Sequence, residues 1–184
     1  MLVIIVLLGM VAGTMTTVFA QMSAQTAVTL KSRQLLAAAN SLLDEIRAKP
    51  FTYCDANDAN ATTAANSLGC AALVDAMGPE PGETRYNAGA LRFDSVTDYQ
   101  GFVMPGPGCG GICDMAGNLI NVAGSVLVGC TESVNLAPLA LLGIAANDAQ
   151  GRPQALRIVV TLVCPGVPNT VVEGVRVRHS PKSI

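Results

Sequence analysis

Charge and histidine are scarce in this chain. Lys, Arg, Asp and Glu make up 13% of the 184 residues and sum to a net charge of -2. Nucleic-acid binding needs clustered Lys and Arg to release counterions from phosphates, so this balance excludes nucleic acid as a partner. His179 is the only histidine, and it precedes the terminal run SPKSI. A Ser or Cys nucleophile that relies on an imidazole base has no other choice, and a surface residue at a strand end is poorly placed for that work. G-x-S-x-G, the P-loop and H-E-x-x-H are all missing,. No two cysteines have C-x-x-C spacing and no second histidine accompanies His179, which disfavours zinc. These absences predict a protein that is not an enzyme, with no cofactor, no metal and no small-molecule substrate. Disorder of the whole chain is excluded too, because 51% of the residues are hydrophobic,.

Charge is missing altogether from residues 1 to 30, and proline from residues 1 to 49. The opening run MLVIIVLLGMVAGTMTTVFA is almost entirely apolar, and about 20 apolar residues suffice for a helix to cross a bilayer. Beyond Gln21 the pattern becomes amphipathic. Val28, Leu35, Leu36, Ala39, Leu42, Leu43 and Ile46 fall near one stripe, with Lys31, Arg33, Asp44, Glu45 and Arg47 mostly away from it,. Arg47 and Lys49 suit the negative end of a helix and Pro50 stops it,. The expectation is one helix, about 70 Å long at about 1.5 Å per residue. Residues 1–27 form its transmembrane half, and residues 28–49 an amphipathic half that packs on a globular head (28–184). Val18-Phe19-Ala20 before Gln21 also resembles a signal-peptide cleavage site, which would release a secreted binding domain,. Against that, no Lys or Arg precedes the apolar core, and the helical pattern runs through the site unbroken.

Residues 50–117 read as a loop-rich region, because DANDANATTAAN, MGPEPGETR and MPGPGCGGIC are dense in Gly, Pro and Asn,. Short helices are expected only near residues 71–77 and 95–99. Residues 118–184 read as an antiparallel sheet. Leu156, Ile158, Val160, Leu162 and Cys164 alternate with Arg157, Val159, Thr161 and Val163,. Val122, Val126, Val128 and Cys130 suggest a second strand over 120–130. A third puts Val171, Val175 and Val177 on one face and Arg176 and Arg178 on the other, with 166–169 as a hairpin connection. One face of the sheet should cover the amphipathic half of the helix.

All six cysteines, Cys54, Cys70, Cys109, Cys113, Cys130 and Cys164, lie beyond the apolar segment, which suggests disulfides formed in an oxidising compartment. Cys54 and Cys70 bracket an Ala/Asn/Thr loop, and Cys109 and Cys113 bracket a Gly-rich turn. Cys130 and Cys164 each extend the apolar face of a strand, so they can meet across the sheet or between sheet and helix. Many other connectivities are open to six cysteines, and so is the alternative that some stay free and buried. DANDAN at 55–60 offers oxygen ligands but departs from EF-hand spacing and lacks the closing Glu, so a solvated turn is expected. Glu83, Asp94 and Asp98 suit caps and turn ligands as well as they suit a metal. Gly9 and Gly13 form G-x-x-x-G, with Thr17 four residues on. Such a small-residue strip permits close helix-helix approach, although Gly and Thr are also common in membrane helices.

AKPFTYCDANDANATT, MGPEPGETRYNAGALRFDSVTDYQGF and the ending RIVVTLVCPG...VVEGVRVRHS resemble the type IV pilin family, and within it the MshD-like minor pilins of the mannose-sensitive haemagglutinin (MSHA) pilus. The specific part is G-P-E-x-G-E-T-R at 78–85 joined to F-D-x-V-x-D-Y at 93–99. The resemblance implies an α+β, type IV pilin-like fold: a long N-terminal helix packed on a small antiparallel β-sheet with a disulfide-braced loop region. It implies a structural minor pilin taking part in pilus assembly. Such a subunit is held single-pass in the inner membrane with its head in the periplasm, and is later displayed on the pilus at the cell surface. Its partners are other major and minor pilins, met through the N-terminal helix at Gly9, Gly13 and Thr17, and the pilus assembly machinery. A pseudopilin-like component of a type II secretion system shares this architecture. Type IV prepilins carry a basic leader, a glycine and an F-T-L-I-E-like mature start, and Met1 aligns just after that glutamate. The expectation is that the true start lies upstream.

Overall fold

The computed structural model describes residues 2–122, 125–127 and 129–178, without the side chains at 2, 5–8, 24, 27, 121, 122, 125 and 126. One helix, α1, spans Leu2–Ala48 with Arg47 in its last turn, where a cation offsets the helix dipole. Its contact with the rest of the chain begins at Lys31, whose Nζ donates to the Pro165 carbonyl at 3.0 Å. From there Gln34, Leu35, Ala38, Ala39, Leu42, Leu43 and Ile46 form the buried seam, a spacing of three and four that keeps them on one side. Two members of the expected stripe lie outside it. Val28 and Leu36 are 45% and 47% exposed, Val28 because it precedes the first contact and Leu36 because it sits about 100° round from Leu35. Ala38 and Gln34 take their places.

The sheet is antiparallel, with order β1-β4-β5-β6. It comprises β1 (Val103–Met104), β4 (Thr131–Pro138), β5 (Ala155–Val163) and β6 (Thr170–Val177). A separate hairpin pairs β2 (Asn121–Val122) with β3 (Ser125–Val126). α1 packs on β5 and β6, and Leu156, Ile158, Val160 and Leu162 of β5 are fully buried. The layout is therefore α+β, a long helix on a four-stranded antiparallel sheet.

The strand expected over 120–130 is not one strand. The segment folds into the β2–β3 hairpin and then reaches Gly129, whose φ of +70° interrupts an extended run,. The long strand beside β5 starts only at Thr131. Its inward positions are Glu132, Val134 and Leu136, and the leading Glu disguises the apolar alternation. β6 is present with its faces reversed. Val171, Val175 and Val177 are 53%, 42% and 40% exposed. The helix instead meets Val172, Gly174 and Arg176, a one-residue shift that turns every side chain over. Gly174 lies so close to α1 that a Cβ there would sit 2.9 Å from Leu43 Cδ1. Arg178, expected on the outer face, is buried.

In the loop-rich region no helix forms at 71–77. The amides of Ala71, Ala72 and Leu73 instead donate to the Asp58 carboxylate at 2.7–3.0 Å. The helix expected at 95–99 shrinks to a 3-10 turn at Thr97–Tyr99. Phe93, Tyr99 and Phe102 meet edge to face, with centroids 5.1–6.0 Å apart, and fix this region against the core. Three disulfides are present: Cys54–Cys70, Cys109–Cys113 and Cys130–Cys164. The third joins the residue before β4 to the residue after β5, next to the Thr131–Val163 pair that ends their ladder. Among the described residues no helix is long and apolar enough to cross a membrane; the side chains of 5–8, inside the most apolar stretch, lie outside that description.

Candidate functional site

The N-terminal half of α1 has no partner in its own chain among the described residues. Val3, Ile4, Met10, Val11, Met15, Val18, Phe19 and Met22 are 51–75% exposed. A Cβ at Gly9 or Gly13 would meet nothing within 4 Å. With Thr17 these residues step along one side of the helix, and no element of the head approaches them. The hydroxyls of this half turn inward on the helix itself. Thr14, Thr16 and Thr17 donate to carbonyls three residues back at 2.8–2.9 Å. Thr26 and Thr29 donate to carbonyls four residues back. Polar side chains satisfied in this way do not require water.

Near the end of α1, a buried ion pair locks the helix to the loop-rich region. Arg85 Nε and Nη2 donate to Glu45 Oε1 and Oε2 at 2.8 and 2.6 Å, the bidentate fork that suits a guanidinium and a carboxylate. Tyr99 Oη donates to Glu45 Oε1 at 2.6 Å, and Arg85 Nη1 donates to the Cys113 carbonyl at 2.9 Å. The Arg85 guanidinium also lies 5.5 and 5.7 Å from the ring centroids of Tyr86 and Phe102. Burial pulls the Arg85 pKa down, but the hydrogen bond and charge of Glu45 outweigh it and the net direction is up. Burial, then the Glu45 charge, raises Tyr99. Glu132 projects from β4 beside this pair, 1% exposed, and burial pushes it up to about 7 against the pull of Arg85. A cleft of about 650 Å³ opens here, bounded among others by Ser41, Glu45, Arg85 and Glu132.

The two strings that carry the family resemblance converge just beyond. Thr84 N donates to Leu91 O, Phe93 N to Thr84 O and Gly78 N to Thr97 O, at 3.0–3.2 Å. This crossing gathers Glu80, Glu83 and Asp98, with one carboxylate oxygen from each lying within 4.8 Å of the others. Burial, reinforced by Glu80 and Asp98, pushes Glu83 up to about 8. Burial also raises Asp98 despite its hydrogen bonds from the Ser95 and Asp94 amides. Burial and the Asp55 charge push Asp94 up to about 6.

Comparison with family models, with curated proteins and with solved structures finds no match for this chain. The functional reading therefore rests on its own residues. Of the residues singled out in the sequence, the cysteines form local pairs in the head, while Gly9, Gly13 and Thr17 stay outside it. DANDAN is a turn, as expected, with Ala56, Asn57 and Ala59 exposed but its two carboxylates turned inward. Asp55 and Asp58 are 1% and 7% exposed, and each carboxylate accepts the amide two residues on. The amides of Leu73, Ala71 and Ala72, helped by that of Asn60, hold Asp58 well below the usual carboxylate range. His179 lies outside the described residues.

Sequence reasoning missed the Glu45–Arg85–Tyr99 lock and the inward Glu132. Glu45 belongs to the polar side of the sequence pattern, but it borders the seam one residue before Ile46. The one available signal was a lone Arg between turn residues and aromatics, in E-T-R-Y. Arg178 was missed as well. It pairs with Asp75 at 3.6 Å, donates to the Pro153 and Thr52 carbonyls, and lies 4.2 Å from the Phe51 ring centroid.

Proposed function

We propose that this chain is a structural minor pilin. Its first helix holds it in the inner membrane, and it later takes part in assembling a type IV pilus of the MSHA kind. The observation that carries this reading is the helix half over residues 3–30. It is almost entirely apolar as far as Ala20, free of charge throughout and exposed at every described side chain, so cover for its apolar surface must come from something outside the fold. Lipid supplies that cover before assembly, and the helices of other major and minor pilins supply it afterwards. Gly9 and Gly13 lower the helix surface so that a neighbour can approach. The compact head, with its three disulfides, suits the periplasm and the outside of a cell. Resemblance at 78–85 and 93–99 favours a pilus over a type II secretion system, which uses the same architecture.

The test is fractionation followed by crosslinking. Full-length chain should sediment with the inner membrane, and a Thr17→Cys variant should crosslink to pilins when the pilus machinery is expressed. Gly13→Leu should weaken that crosslink without releasing the protein from the membrane. Recovery of a soluble protein beginning at Gln21 would defeat the reading. Copurification with secretin-linked exporter components alone would move it to the secretion system.

A further inference from the structure

The corner where 78–83 crosses 94–98 has a property that turn chemistry does not use. Glu83 is 7% exposed, and its Oε1 is buried with no hydrogen-bond partner among the described residues. Glu80 Oε2 beside it is likewise buried and unpartnered, as is Asp94 Oδ1 nearby. None of Glu80, Glu83, Asp94 or Asp98 is in an ion pair among the described residues. Carboxylates pressed together without a cation are unfavourable, and buried orphan acceptors call for an explanation.

We propose that Glu80, Glu83 and Asp98 form a calcium site that staples the two loops of the head. The geometry fits. Oxygen ligands sit about 2.3–2.6 Å from Ca²⁺, so ligands on opposite sides of one ion are about 5 Å apart. Oxygens that all lie within 4.8 Å of one another can therefore share a single ion. The donors are hard carboxylate oxygens with no sulfur or imidazole among them, which selects an alkaline-earth cation over zinc. Their support is prebuilt. The Glu83 amide donates to Glu80 O at 3.0 Å, and Asp98 Oδ2 accepts from the amides of Asp94 and Ser95 at 2.8 and 2.7 Å. A site on irregular loops completes its shell with water and tolerates the variable coordination of calcium better than the strict octahedron of magnesium. The site is remote from the apolar helix, so it stands or falls separately from the assembly reading.

The experiment is thermal unfolding of the full chain in mild detergent, first in EGTA and then with CaCl₂ titrated to about 10 mM, well above the dissociation constants of extracellular calcium modules. The midpoint should rise with calcium, with an apparent Kd of about 10⁻⁴–10⁻³ M. Glu83→Gln should remove the response and raise the midpoint in EGTA, since a neutral amide avoids the cost of desolvating a carboxyl that must otherwise take up a proton on burial. The less buried Glu80→Gln serves as a second variant, weakening the response at least about tenfold if it loses one charged ligand. No calcium response in the wild type overturns the proposal. A response that MgCl₂ or NaCl reproduces at equal ionic strength overturns it too, as does an undiminished response in both variants.

Discussion

Replacing Arg85 by Met should unlatch the loop-rich region from α1. The Arg85 side chain is 4% exposed and that of Glu45 10%, so neither charge regains full solvation when the other is removed. Two charge-assisted hydrogen bonds to Glu45 are lost at once, together with the bond to the Cys113 carbonyl. Removing one partner of a buried pair costs about 3–5 kcal/mol. Glu45→Gln should cost less, about 1–3 kcal/mol, because a Gln oxygen can still accept from Tyr99. In a double-mutant cycle the two substitutions should couple by about 2–3 kcal/mol, so that the double variant is hardly less stable than Arg85→Met alone. Denaturant unfolding of the full chain in mild detergent, followed by near-ultraviolet circular dichroism of its tyrosines, reads all four species. The exposed Arg157–Glu173 pair, whose side chains are 50% and 47% exposed, is the control and should show almost no coupling. Single costs below about 1 kcal/mol that simply add in the double variant would refute the latch.

Three further outcomes follow from the same geometry. Glu132 has a folded pKa raised from 4.5 to about 7, so the stability linked to its proton is complete below pH 4.5 and is lost as pH rises through 7. Glu132→Gln should flatten that fall by up to about 3 kcal/mol, and an unchanged pH slope would count against the buried acid. Replacing Cys54 and Cys70, which are 16 residues apart in sequence, by Ser should cost about 3 kcal/mol in the chain-entropy account. Hydrogen exchange should then speed up at Ala71, Ala72 and Leu73, and unaltered protection there would show that Asp58 alone holds the loop. Gly174→Val puts new carbon against the buried Leu43 side chain and should cost about 1–3 kcal/mol; a neutral result by thermal unfolding would mean that helix and strand are not in such close contact.

Much of the architecture was legible because it repeats. The helix, its break before Pro50, the β5 alternation and the hairpin into β6 all follow from local period and turn residues. What failed did so where one residue broke the pattern. Glu132 hid β4 by occupying an apolar slot. Val171, Val175 and Val177 looked like a core face because valine is the commoner inside residue, yet the helix needed the missing side chain of Gly174. Arg178 was assigned outward by its charge, although Asp75 and two carbonyls receive it inside.

Local chemistry alone established an uncharged helical opening, an oxidised cysteine-bearing head and a C-terminal sheet, because periodicity and composition act over a few neighbours. Only the fold decided which half of α1 is covered, which face of β6 looks inward, and that Glu45 meets Arg85 and Glu83 meets Asp98. Those contacts join positions 40 and 15 residues apart, where backbone turns rather than sequence spacing set the distance between charges.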